Sequence, residues 1–126
     1  MKGKRIGRQT VQFSTPPVIR AAASVVGRKE GEGPLRDRFD SVSQDTYFGE
    51  KSWERAERRM QQMTLELALE KAGLTDADLD AAFAGDLLNQ CIGSSFSLRN
   101  RGVPTLGLYG ACSTMAESLL LAAMSV

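Results

Sequence analysis

The sequence predicts an α/β fold, with a parallel-rich layer of strands around a buried central helix. Three observations point to it. Ala81–Gly85 and Thr105–Leu108 are short apolar runs without alternation, the pattern of strands buried on both faces. Helical segments come before and between them, so strand and helix alternate as in layered α/β chains. The stretch Gly102–Val126 carries one formal side-chain charge, Glu117, and its helix is apolar on nearly every face. A helix apolar all round is expected to be covered on several sides. Because this one continues to Val126, the expectation is a fragment whose covering layer comes from elsewhere.

Taken in order, Thr10–Phe13 and Arg20–Val26 read as strands, the second packed with Ala21, Ala22, Ala23, Val25 and Val26. Gly27–Gly33 reads as a surface loop and Pro34–Tyr47 as mostly irregular chain. Neither holds the GxxxxGK[ST] spacing of a phosphate cradle. A long helix starts after Ser52, a good N-cap, with Glu54 in its first turn complementing the helix dipole. Trp53, Ala56, Met60, Met63, Leu67 and Leu74 recur at helical spacing and form one apolar stripe. Arg55, Arg58, Arg59, Glu66 and Glu70 keep the opposite face wet, and Lys71-Ala72-Gly73 closes the helix. Thr75 caps a short turn through Asp78–Asp80, whose carboxylates lack the glycine and distal glutamate of a calcium loop. A second helix is expected through Ser95–Arg99.

Composition narrows the functional classes. The 126 residues suffice for one domain, and a net charge of +1 argues against nucleic acid as the main partner. Lys2, Lys4, Arg5 and Arg8 concentrate positive charge near the N-terminus, as a solvated tail or a segment drawn to an anionic membrane. Pro16 and Pro17 interrupt the apolar stretch that follows, so no secretory signal is expected. No run approaches the ~18 apolar residues that span a bilayer. Cys91 and Cys112 are compatible with reduced thiols. No metal-ligand cluster or cofactor motif is present, so neither a metal nor a cofactor is expected.

Two segments carry candidate chemistry. Cys112 stands where the strand Thr105–Leu108 runs into the apolar helix. There the free N–H groups of a helix start favour an anion, either a thiolate or a ligand carboxylate. Ser113 and Thr114 would offer such groups. The chain has no histidine, so no Cys–His pair can form within it. Asp86, Asn89 and Cys91 follow the strand Ala81–Gly85, at the strand end where open α/β sheets place ligands. Asp86 could equally cap the next helix or order its loop.

The segments Ser52-Trp53-Glu54-Arg55-Ala56-Glu57, Gly85-Asp86-Leu87-Leu88-Asn89-Gln90 and Gly107–Ser118 with Cys112 at its centre resemble the stage V sporulation protein AD family. That family lies within the thiolase and ketoacyl-synthase fold superfamily. The resemblance covers essentially the whole chain but only the N-terminal, lesser part of the family's length. It implies a thiolase-like layered fold of which residues 1–126 form the N-terminal half, with the second half absent. It further implies a spore-forming role: binding dipicolinic acid, or its calcium complex, and helping its uptake into the developing spore. The expected location is peripheral, at the inner spore membrane, with transport-complex proteins as partners and a homodimer when complete.

Cys112 falls on the superfamily's nucleophile position. Without the family's histidines the resemblance implies a noncatalytic binding subunit. The alternative is a thiolase-like acyltransferase that accepts an acyl group on Cys112 and draws its base from the missing half. The expected ligand residues are Cys112, Ser113, Thr114, Asp86 and Asn89, with Asp86 accepting calcium carried by the dicarboxylate.

Overall fold

The computed structural model describes residues 3–126; Lys2, one of the four N-terminal cations, lies outside the described residues. The other three stand on an antiparallel hairpin rather than on a loose tail. Strands β1 (Gly3–Ile6) and β2 (Thr10–Phe13) pair Gly3 with Phe13 and Ile6 with Thr10. The Arg5 guanidinium closes the turn by donating to the Arg8 carbonyl at 2.6 Å. All of this hairpin is exposed except half-buried Phe13.

Two parallel pairs follow. Strand β3 (Val25–Val26) lies beside β4 (Ser41–Val42), with the one-turn helix α1 (Arg28–Gly31) between them. The strand expected over residues 20–26 is therefore reduced to its last two residues, because β4 offers only two partners. The expected loop at 27–33 contains a helical turn, extended by a 2.7 Å ion pair from Arg28 to Glu32. Asp40 ties this unit down: its carboxylate accepts from Ser24 N at 2.8 Å and from Lys71 at 2.8 Å. Both bonds, that from Lys71 first, hold the Asp40 carboxyl below its ordinary pKa.

Helix α2 (Trp53–Ala72) forms as its sequence dictates. Ser52 is extended and its hydroxyl accepts from Arg55 N at 3.4 Å. At the other end Gly73 N donates to Glu70 O and Leu74 N to Leu69 O, the paired bonds of a Schellman closure. On the inward stripe Ala56 is buried, while Met60, Met63 and Leu67 are half-buried. Trp53 stays half exposed and stacks on Tyr47 with ring centroids 4.5 Å apart. Replacing Ser52 by alanine is expected to cost about 1 kcal/mol, read as a lowered thermal midpoint. Thr75 caps the following short turn: its backbone N–H and its hydroxyl both donate to one Asp78 carboxylate oxygen, each at 2.8 Å, which accounts for that carboxylate.

Strand β5 (Ala82–Ala84) then pairs in parallel with β6 (Thr105–Gly107), Ala82 opposite Thr105 and Ala84 opposite Gly107. Helix α3 (Ile92–Leu98) connects them and packs on α2, where the Ser97 hydroxyl meets Gln61 Oε1 at 3.0 Å. Arg101, just past α3, bridges Asp76 at 2.8 Å and Glu66 at 2.9 Å, fixing the turn that leads into β6. The core is small: Val25, Ala56, Leu98 and Val103 are the buried apolar side chains among the described residues.

One expectation is corrected here, and the uncovered state expected of the last helix within its own chain is seen. The strands form three separate two-stranded sheets rather than one layer, although two of the three are parallel. Helix α4 (Thr114–Ser125) is not buried within this chain. It packs against β5, yet Met115 is 74% exposed and Leu119, Leu120 and Met124 are about half exposed. The reason is geometric. Two strands only ~4.8 Å apart cover one stripe of a helix, and α4 is apolar on the others as well.

Candidate functional site at the ends of two parallel strands

Because β5 and β6 run parallel, the loops that leave them emerge side by side. Gly85 sets how closely. A side chain there would fall on the carbonyl of Leu108 and the methyl of Thr114, so the first loop lies directly on the second. Cys91 adds a polar tie, its thiol donating to the Leu108 carbonyl at 3.1 Å. The structure thus brings the two predicted segments, Asp86–Cys91 and Cys112–Thr114, to one edge.

Both loops hold backbone in the left-handed region that non-glycine residues avoid. Gln90 has φ 50°, Cys91 φ 77° and Ala111 φ 49°; Phe48 is the only other such residue described. Each such residue costs roughly 1–3 kcal/mol, and such conformations cluster where a chain must aim side chains for binding or chemistry.

The second loop ends in a 3₁₀ turn, Ala111–Ser113, before α4 begins at Thr114. Cys112 is exposed on that turn. Ser113 N already donates to Gly110 O at 3.0 Å, and Thr114 N to Ala111 O. A helix opening directly after Cys112 would leave these amides free, as the sequence leads one to expect; the 3₁₀ turn uses them instead. The Ser113 hydroxyl bonds the Gly110 carbonyl at 2.8 Å and the Glu117 carboxylate at 2.5 Å. The Thr114 hydroxyl accepts from Gly110 N at 3.1 Å.

In the first loop Asp86 is 4% exposed. One of its oxygens accepts from Asn89 N at 3.0 Å; the other accepts from Ser94 N at 2.9 Å and from the Ser94 hydroxyl at 3.1 Å. Its carboxylate therefore both orders the loop and caps the first turn of α3, the two structural roles open to it from sequence. Asn89 is half-buried.

Two residues of this site, Ser94 and Glu57, are not among those the sequence singles out, and Cys91 has a role the sequence does not show. Ser94 is almost completely buried and serves Asp86. Cys91 is the tie to Leu108. Glu57, on α2, reaches across to accept from Leu87 N at 3.4 Å, while its second carboxyl oxygen is buried with no partner. Burial raises the Glu57 pKa, the nearby Asp86 charge adds to the rise, and the Leu87 and Leu88 amides oppose it. A signal for Glu57 was present: it lies four residues after Trp53 and three before Met60, within the apolar stripe, where a charged residue is costly unless paired or neutral. A separate cavity of about 270 Å³ opens between α3 and β6, lined by Ser95, Leu98, Arg99 and Thr105 among others and by none of the predicted site residues.

Comparison with known proteins gives the family of the chain. A family model for stage V sporulation protein AD (SpoVAD) matches residues 7–126. The stage V sporulation protein AD of Bacillus subtilis (strain 168) is 38% identical over 123 residues, covering 98% of this chain and 36% of that protein. The chain thus spans about a third of the length of that relative. It belongs to the stage V sporulation protein AD family, a family of sporulation proteins.

Proposed function

We propose that this chain forms part of a noncatalytic subunit that binds dipicolinic acid, or its calcium complex, for uptake into the developing spore. The observation that carries the proposal is the pair of loops with left-handed backbone at Gln90–Cys91 and Ala111, held edge to edge by Gly85 at the ends of parallel strands. The ends of parallel strands are where open α/β sheets receive small ligands, and the exposed Cys112 and half-buried Asn89 stand on the two loops there. Asp86 acts by holding the Asn89 and Ser94 amides, with Ser113 and Thr114 shaping the turn that presents Cys112.

The same proposal takes residues 1–126 as the N-terminal portion of a thiolase-like domain. Its uncovered α4 would then meet the remainder of that domain, and the complete protein would dimerise. It places the protein at the inner spore membrane through partner membrane proteins; among the described residues no helix is long and apolar enough to cross a membrane.

Equilibrium dialysis with dipicolinate tests the binding role. Cys112→Ala is expected to bind as the parent chain does, whereas Cys112→Trp, which sets a large ring at the ends of the two loops, is expected to weaken binding at least about tenfold, or ~1.4 kcal/mol. Fast iodoacetamide alkylation of Cys112 that acyl-CoA prevents would instead favour the acyltransferase, and with it a covalent step.

A further inference from the structure

The carboxyl groups of Glu57 and Asp86 meet over Gly93. A side chain at Gly93 would lie 3.1 Å from the unpartnered Glu57 oxygen and 3.4 Å from the Asp86 oxygen that serves Ser94. The two acids therefore border one small space, roofed by the first turn of α3. Their hydrogen bonds are unequal. Both Asp86 oxygens accept from N–H or O–H donors, as a carboxylate should. Glu57 has one oxygen facing Leu87 N and one facing no donor. Two close carboxylates out of water cannot both keep a charge cheaply, and the one with fewer donors takes the proton.

The neighbours do not alter that assignment. Glu54, one turn earlier on α2, adds negative charge near Glu57. Arg58 is directed to Glu50, 3.9 Å from it, and its Nε is also buried without a partner. Helix α3 and strand β3, which pack on α2, contain no titratable side chain.

We propose that Glu57 is a positioning residue whose neutral carboxyl, set against the Asp86 carboxylate, holds the Asp86–Cys91 loop onto α2, so that loss of one proton loosens one wall of the candidate site. The proton leaves to solvent and no covalent bond changes. The consequence is a ligand-site loop that is firm in mild acid and looser as pH rises. The sign follows from linkage. The native Glu57 pKa is raised, so the stability it contributes is fully present below the ordinary glutamate value and is lost as pH climbs through the raised value. This inference takes the Asp86–Cys91 loop as part of the site proposed above, but its test reads the loop without ligand.

Amide hydrogen exchange of Leu87 and Leu88, corrected for the intrinsic pH dependence, decides it on the full chain with Glu57→Gln and Glu57→Ala variants. In the parent, opening of the loop is expected to increase by up to about tenfold per pH unit across the Glu57 titration and then level off. Glu57→Gln, permanently neutral and able to donate to Asp86, is expected to stay protected and flat with pH. Glu57→Ala is expected to be open at every pH, which separates the loss of the contact from the loss of the proton. The carboxyl carbon resonance of Glu57 gives the titration directly. A parent and a glutamine variant with the same pH profile, or a Glu57 resonance titrating in the ordinary glutamate range, would overturn the proposal. Neither result would bear on whether dipicolinate binds.

Discussion

Gly85→Ala is expected to destabilise the chain by about 3 kcal/mol, seen as a lower urea midpoint with a similar slope. The new methyl would have to occupy the space of the Leu108 carbonyl and the Thr114 methyl. A carbonyl fixed in the chain cannot rotate away as a flexible side chain can. Relief requires β5 and β6 to part at their ends, which pulls the Cys112 turn from the Asp86 loop. The variant should therefore lose both stability and the juxtaposition of the two loops. A midpoint equal to that of the parent would show that the loops are not in contact at this position.

Asp86→Ala is the second large effect, expected at about 3 kcal/mol near neutral pH. The substitution strands three donors, Asn89 N, Ser94 N and the Ser94 hydroxyl, around a residue that is 4% exposed. Each buried group left without a partner costs about 1–3 kcal/mol. Part of the loss is offset because Glu57 no longer faces a neighbouring negative charge. Asp86→Asn keeps one acceptor and is expected to fall between the two. Chemical denaturation at pH 7 measures both. Unchanged stability together with lost ligand binding would instead make Asp86 a ligand group.

Much of the fold was legible because its signals are local. The Ser52 cap, the stripe from Ala56 to Leu67 and the closure at Gly73 depend on a few neighbouring residues, and α2 follows them closely. The unalternating apolar runs at Ala82–Ala84 and Thr105–Gly107 gave a parallel pair for the same reason. The β1 strand and the shortness of β3 depend on partners distant in sequence, and periodicity carries no record of a partner's length. The apolar count of α4 is itself local, and so is the lack of enough apolar surface in the preceding residues to cover it, which its exposure matches.

The site divides in the same way. The positions of Asp86, Asn89 and Cys112 at strand ends followed from the order of elements. The engagement of the Ser113 and Thr114 amides did not, since one residue's difference between a 3₁₀ turn and an α-helix decides it. Glu57 is masked in the sequence by the apolar members of its stripe, although an acid inside such a stripe is itself the anomaly.

The central claim is that the loops after β5 and β6 form one crevice that receives a small dicarboxylate. Nitrogen-15 correlation spectra of the labelled chain, recorded as dipicolinate is added, test it most directly. Saturable shifts are expected at Asn89–Cys91 and Ala111–Thr114 together, with one common dissociation constant. Shifts confined to Ser95, Arg99 and Thr105 would place the ligand in the α3–β6 cavity instead, and a spectrum unchanged at saturating dipicolinate would contradict the crevice altogether.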